Sequence, residues 1–474
     1  MRLTLDKGGK HMGIFNDLKN RVLKLFKTKK GDGEESVKIT SNHYLTGREI
    51  RAIARANNAE MRRLEKLKNR HVPEEEYITQ MKDNDNILEI ENLHSYFFTD
   101  QGVVKAVNGV EFSIPINSTV GVVGESGCGK SVTSMSVMRL LQGPTGQIVD
   151  GSIRFKANDY KRDEHGKLVP VYECDETGEI VYEPILDKSG NPKKDKEGNP
   201  VMRPKQVRDE YGIGKYEMEE RVFDIAKMPI KEMYRLRGRQ MSMVFQEPMT
   251  SLNPVFTIGN QLDEVTLLHI PDATKQYAKK RSIEMLDLVG IAMPERVYAS
   301  FPHELSGGMR QRVMIAMALA CEPRLIIADE PTTALDVTIQ AQVLSLFNEI
   351  KKKMNGSILL ITHDLGVIAE MADYVVVMYA GRIIEKGTAS EIFHKPCHPY
   401  TQGLQKSKPT MKSKENTLFN IPGNVPNPVE MPNNCYFRER CSQCVAKCAG
   451  DYPEMVQVSP THFVACHLYG TKEN

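Results

Sequence analysis

The chain's clearest chemical signal is a spacing suited to holding a polyphosphate. Gly124, Glu125, Ser126, Gly127, Cys128, Gly129, Lys130 and Ser131 read G-x-x-x-x-G-K-S. Glycines let the backbone turn its N–H groups onto phosphate oxygens, and a helix N-terminus behind them adds partial positive charge. Lys130 is then placed to reach the β- and γ-phosphates of a nucleotide, and Ser131 to ligate Mg2+. The Cys128 thiol inside this loop predicts an activity sensitive to alkylation. Upstream, Phe97 is the first choice for an aromatic that stacks on adenine, with Tyr96 its neighbour. Strand alternation lets only one of the two face a base, and ordinary core is the alternative for either.

A second group of residues supplies acids. Leu325–Ala328 is an apolar run ending in Asp329 and Glu330. Carboxylates at the carboxyl end of a buried parallel strand stand where α/β proteins bind ligands. Asp329 suits Mg2+ coordination through water, and Glu330 suits orienting an attacking water. The strand Ser357–Ile361 exits through Thr362, His363 and Asp364, which places His363 to contact a γ-phosphate. Ser306, Gly307 and Gly308 precede the helix-forming run Met309–Ala320. That is a second helix N-terminus with exposed N–H groups, hence a second phosphate-binding surface.

The elements that must position these residues follow from pattern. Thr119–Val123 reads as a strand and Val132–Leu141 as a helix, which gives the phosphate loop its strand–turn–helix setting. Ile87–Ile116 reads as an antiparallel pair turning at Asp100–Gly102, and Gly151–Phe155 as a further strand. Met241–Phe245 is a short apolar strand. Thr257–Leu268 and Gln276–Leu288 read as helices of a helical subdomain, and Val337–Lys353 as a further helix. Tyr374–Tyr379 and Arg382–Gly387 form a terminal strand pair.

Two stretches stand apart. Residues 156–225 are polar and charged, and Asp163…Gly166, Asp175…Gly178, Asp187…Gly190 and Asp195…Gly198 repeat within them. The repeat predicts tight turns between short strands, a β-rich insertion. None of these runs meets the 12-residue calcium-loop pattern. Residues 1–84 form a helical extension. In it Ile14, Leu18, Val22 and Leu25 fall at helical spacing among lysines, as suits an anionic membrane surface or packing on the chain's own domain or a partner. Gly47–Arg70 is a second, charged helix.

The 474 residues carry 63 basic and 61 acidic side chains, a net charge of +2 that demands no nucleic-acid partner. No apolar run is long enough to span a membrane, and no signal peptide is evident. Of nine cysteines, five (Cys435, Cys441, Cys444, Cys448 and Cys466) crowd the last stretch of the chain. In a reducing compartment that clustering predicts a metal site over disulfides.

The phosphate loop, the glutamine after Met241–Phe245, LSGG, ADEP and the TH dipeptide stand in the order found in ABC-transporter ATPases. About Leu88–Gly387 resembles that family. The string LSGGMRQRVMIAMALACEPRLIIADEPTTALDVTIQAQ, with HPYTQGL at His398–Leu404 and the Cys-rich tail, resembles the D-type ATPases of bacterial oligopeptide/dipeptide importers. Met309 replaces the final glutamine of the usual LSGGQ.

The resemblance implies an α/β fold: an ABC-ATPase nucleotide-binding domain (85–390) with an antiparallel β subdomain and a helical subdomain, plus a small Cys-rich C-terminal domain (391–474) with a regulatory or metal-binding role. It gives Gln246 a place on Mg2+ and its water, and counts Asp336 among the nucleotide-binding residues. It implies ATP and Mg2+. It implies a head-to-tail pair in which Ser306, Gly307 and Gly308 bind the partner's nucleotide, the partner being an F-type ATPase. Two transmembrane permeases and an extracytoplasmic peptide-binding protein would complete the assembly, with this chain peripheral on the cytoplasmic face of the cell membrane. Cys435, Cys441, Cys448 and Cys466 are the implied ligands of a [4Fe–4S] cluster, with Zn2+ as the alternative and Cys444 as an extra thiol. The expected function is ATP hydrolysis that powers import of oligopeptides or dipeptides, nickel complexes being a further cargo of such motors. The alternative is a soluble ABC ATPase acting on ribosomes or nucleic acid. Against it stand a single phosphate loop, a single LSGG and an insertion too rich in glycine and proline for a coiled coil.

Overall fold

The computed structural model describes residues 45–187, 190–246, 251–332, 337–407, 420–429 and 431–469. The chain divides into units 1–49 and 50–474. Ile14–Leu25, expected as an amphipathic helix, lies outside the described residues. The second charged helix is present as α1 (Gly47–Lys68).

The chain then runs through β1 (Asn86–Thr99), β2 (Gly102–Pro115), β3 (Thr119–Val123), α2 (Lys130–Val137), β4 (Gly146–Tyr160), β5 (Met218–Asp224) and β6 (Met241–Val244). Helices α3 (Ile258–His269), α4 (Lys275–Leu288) and α5 (Gly307–Leu319) follow. After them come β7 (Leu325–Asp329), α6 (Val337–Met354), β8 (Ser357–Ile361), β9 (Tyr374–Tyr379), β10 (Arg382–Thr388) and α7 (Pro399–Lys406).

Two sheets organise these elements. One is antiparallel, in the order Ile78–Thr79, β5, β4, β1, β2. The other is mixed. Its centre, β9–β3–β8–β7–β6, is parallel. Strands β3, β7 and β8 are buried at every position, as continuous apolar runs covered on both faces must be. Their register brings the carboxyl ends level. Val122 lies opposite Ile361, and Ile361 opposite Asp329, while Val244 lies opposite Ala328. The loops leaving β3, β6, β7 and β8 therefore emerge along one edge, and those loops carry the predicted chemistry.

Helices α3, α4 and α5 begin where Thr257, Thr274 and Ser306 cap them, each side-chain oxygen accepting a backbone N–H of the first turn. Leu262, Leu286, Val313 and Leu319 join these helices to the core that also covers Val244 and Ala328. The tail closes the other side of the mixed sheet. Phe463–Val464 pairs antiparallel with Lys386 and Glu385 of β10 and is itself paired by Val456–Gln457, so the edge of β10 is not left open.

The insertion is built of hairpins, as the repeats predict. β4 and β5 form its stem, paired from Arg154↔Asp224 to Tyr160↔Met218. The predicted strand Gly151–Phe155 is thus only the middle of a 15-residue strand. Each Asp-x-x-Gly is a turn in which the glycine N–H donates to the aspartate carbonyl. The aspartate carboxylate accepts N–H groups farther along, as Asp163 does from His165 and Lys167. A fifth copy, Asp209…Gly212, follows the same geometry. The lobe leans on the helical subdomain: Tyr216 donates its hydroxyl to Asp272, and Lys280 Nζ lies 3.1 Å from the Tyr211 hydroxyl. Among the described residues, no helix is long and apolar enough to cross a membrane.

Candidate active site

The loop between β3 and α2 closes tightly on its neighbours. Gly129 has φ +102, and a Cβ there would sit 2.3 Å from the Ala106 carbonyl oxygen, so only glycine fits. Gly127, at φ +79, has nothing within 4 Å of a notional Cβ and leaves its side of the loop open. Lys130 is the first residue of α2 and only 5% exposed. Its Nζ donates to the carbonyls of Gly124 (2.8 Å) and Glu125 (3.2 Å). The ammonium is thus held inside the loop's curve, where a phosphate chain competes for it.

The register of β3, β7 and β8 assembles the rest. Ser131 Oγ donates to Asp329 Oδ1 at 3.0 Å, and Ser134 Oγ reaches Asp329 Oδ2 at 3.4 Å. Burial raises the Asp329 pKa, with the Ser131 hydrogen bond opposing and the Glu330 charge reinforcing the shift. A buried carboxylate beside a hydroxyl, with a second acid next to it, is a hard-oxygen set that suits Mg2+. Glu330 adopts φ +48, an uncommon conformation for a non-glycine residue and one that recurs at functional sites. Its N–H donates to the Ile361 carbonyl at 2.8 Å. Gln246 Nε2 donates to Glu330 Oε2 at 2.9 Å. His363 Nδ1 lies 3.3 Å from Glu330 Oε1, with its side chain 57% exposed. The three residues assigned to chemistry from the sequence thus meet at one carboxylate.

The remaining nucleotide residues divide. Ser306 and Gly307 are exposed at the start of α5, where Ser306 accepts from the Met309 N–H at 3.3 Å. Gly307 has open space around it, and Gly308 lies near Ile339. Tyr96 is buried with its hydroxyl bonded to Asn108 and His94. Phe97, next along the strand, is half-buried and packs on Gly146. Asp336 lies outside the described residues. Cys128 is 1% exposed, and burial raises its pKa despite the nearby Lys130. Its thiol packs beneath Gly124, so the alkylation sensitivity expected of this loop does not follow.

Two contacts to the loop carry no local sequence signal. The Tyr400 hydroxyl accepts the Glu125 N–H at 2.8 Å, and the Arg440 guanidinium grips both Glu125 carboxylate oxygens at 2.8 and 3.0 Å. HPYTQGL draws the eye to Tyr400 without revealing its contact, and nothing marks Arg440.

Residues 107–175 and 213–333 match the ABC transporter family, and 384–448 match the oligopeptide/dipeptide transporter C-terminal region. The first match skips 176–212, the outer part of the insertion. These matches, with the Lys130 loop, the Ser131–Asp329 pair and a glutamate met by Gln246 and His363, define an ABC-transporter ATPase. Curated relatives narrow the class. The oligopeptide transport ATP-binding protein AppD of Bacillus subtilis is 41% identical over 383 residues, 81% of this chain and 97% of that protein. OppD of the same organism is 43% identical over 81% of this chain and 88% of its own length. The dipeptide transport protein DppD is 41% identical over 81% and 95%. The chain belongs to this family of oligopeptide/dipeptide transport ATP-binding proteins.

These matches overturn the iron–sulfur expectation, since the relatives that span most of the chain are ordinary ABC ATPases named for ATP binding and transport. Cys448 and Cys466 are buried, while Cys435 and Cys441 pack against the main apolar core. Burial pushes the Cys435 thiol up to about 11. Cys435, Cys441, Cys448 and Cys466 nevertheless lie as close neighbours of one another. Among the described residues no three of these sulfurs lie within 4.8 Å of one another. Among the described residues the one convergent set is Glu385, Cys397 and His462. There the Cys397 and His398 N–H groups and His462 Nε2 already satisfy the glutamate.

Proposed function

We infer that this chain hydrolyses ATP to power import of oligopeptides or dipeptides across the cytoplasmic membrane, as one subunit of a multisubunit ABC transporter. The observation that carries the reading is the meeting of Lys130, the Ser131–Asp329 pair and the Gln246–Glu330–His363 cluster at one sheet edge, in a chain whose relatives are peptide-transport ATPases. Action on ribosomes or nucleic acid is not favoured, because those relatives are named for peptide transport.

On this reading we assign the residue roles. Glycine-loop N–H groups and Lys130 hold the phosphates, and the α2 N-terminus adds positive charge. Ser131 and Asp329 would hold Mg2+, which when bound would supply charge neutralisation of the phosphates. Glu330 orients the attacking water, while Gln246 and His363 fix the Glu330 carboxylate and stand ready for the γ-phosphate. Phe97 stacks on the adenine. Ser306 and Gly307 are exposed at the start of α5, and we assign their N–H groups, with that of Gly308, to a nucleotide held by a second ATPase. We assign that partner as the F-type subunit.

In this reading 85–390 form the ATPase domain, 156–225 its insertion, 391–474 a regulatory tail and 1–84 an extension. The chain is peripheral on the cytoplasmic face, docked on two permeases that receive peptide from an extracytoplasmic binding protein. The test is purification of the tagged chain from membranes. Two membrane-spanning proteins and a second ATPase should co-purify, and ATP-dependent peptide uptake should disappear when the chain is deleted. Recovery with ribosomes and undiminished uptake would reject the assignment.

A further inference from the structure

Glu125 is an anomaly for a loop that binds polyanions. It follows Gly124 directly, and its carbonyl accepts from Lys130 Nζ at 3.2 Å. Its carboxylate is thus within about 10 Å of the ammonium that grips phosphate, by the reach of one side chain plus a hydrogen bond. An uncompensated carboxylate there repels the ligand the loop exists to hold.

The compensation comes from the tail, 315 residues away. Arg440 meets both carboxylate oxygens, a bidentate pair. The guanidinium is itself locked: Nε donates to the Pro422 carbonyl at 3.0 Å, Nη2 to the Ile421 carbonyl at 3.4 Å, and Nη1 to the Tyr379 hydroxyl at 3.3 Å. Its side chain is 6% exposed against 26% for Glu125. Tyr400, fully buried against Tyr379 and Phe437, takes the Glu125 N–H. Backbone and side chain of one loop residue are thus both held by the C-terminal region.

We propose that Arg440 is a positioning residue for nucleotide binding: it neutralises Glu125 and turns it off the phosphate path, so that ATP affinity depends on the tail being docked. The proposal rests on the reading that 124–131 hold ATP. If that reading fails, the parent chain binds no nucleotide. If only this proposal fails, parent binding is intact.

The test is calorimetric titration of the full chain with Mg–AMPPNP and with MgADP. Arg440→Gln should weaken Mg–AMPPNP binding roughly 5- to 30-fold, the effect of one unit charge at about 8–10 Å with an effective dielectric of ~20–40. MgADP, with less charge, should lose less. Glu125→Gln should bind as well as the parent or more tightly, because it removes the repelling charge and leaves Arg440 facing the loop. The double variant should return to near the parent value. A merely structural staple predicts otherwise: Glu125→Gln would weaken binding, and the double variant would stay as weak as Arg440→Gln. Either result overturns the proposal, as does unchanged binding by Arg440→Gln. Glu125→Gln keeps the side chain's shape, so the test survives if Arg440 variants fold poorly.

Discussion

Replacing Glu385 with alanine should unhook the tail. Glu385 is fully buried on β10. Its carboxylate accepts the Cys397 N–H at 2.7 Å and the His398 N–H at 2.9 Å, and it pairs with His462 Nε2 at 2.8 Å. These three partners lie on two separate stretches of tail, so a single side chain ties both to the core sheet. Glu385→Ala orphans three buried polar groups at about 1–3 kcal/mol each, so at least ~3 kcal/mol is lost. A whole domain holds only about 5–15 kcal/mol, and the two-residue pairing of Phe463–Val464 on β10 is a weak reserve. The tail should therefore release locally before the nucleotide domain unfolds. Hydrogen exchange on the full chain reads this directly. Amides of 397–406 and 456–466 should lose protection by a factor of ~100 or more, following from about 3 kcal/mol at 1.4 kcal/mol per decade, while β3 and β8 keep theirs. Unchanged protection in both tail stretches would refute the reasoning. It would mean that packing of Tyr400 and Phe437 alone secures the tail.

Three further outcomes follow from the same geometry. Glu330→Gln keeps the side chain's shape beside Gln246 and His363, so MgATP binding should persist while turnover in the assembled transporter falls by about 10²–10⁴. Turnover near the parent rate would remove its role. Iodoacetamide at neutral pH should modify the exposed Cys174 and Cys444 well before the buried Cys128; stoichiometric labelling of Cys128 in the folded chain, read by peptide mass, would contradict its packing. Burial lowers the His398 pKa from 6.5 to about 3, so between those values the unfolded chain binds the extra proton. Stability should then fall as pH drops below about 6.5 and level off near pH 3. His398→Gln should flatten that part of a denaturation-versus-pH curve, and an identical curve would dismiss the histidine.

What the sequence displayed was local, and what it concealed was pairing at a distance. The phosphate loop, the acids after β7 and the Ser306 cap depend on neighbouring residues alone, so each was legible with its element. The strand expected at Met241–Phe245 and the helix at Thr257–Leu268 differ from the structure by only a residue at their ends. The helix expected at Val132–Leu141 starts at Lys130 instead and stops at Val137, because Arg139 takes φ +53. Strand β4 reads too short from the sequence because its outer residues Lys156, Ala157, Asn158, Asp159 and Tyr160 show no apolar alternation, although they pair with β5 in the stem. The tail misled for a related reason. Cysteine spacing signals that thiols gather, and Cys435, Cys441, Cys448 and Cys466 do lie as neighbours, but spacing alone does not specify a cluster. Arg440 was invisible because its meaning lies entirely in Glu125, and no periodicity or motif links two residues that far apart. The same remoteness gives the contact its consequence. A loop motif can be complete in sequence and still depend, for its charge, on whether a distant segment is docked.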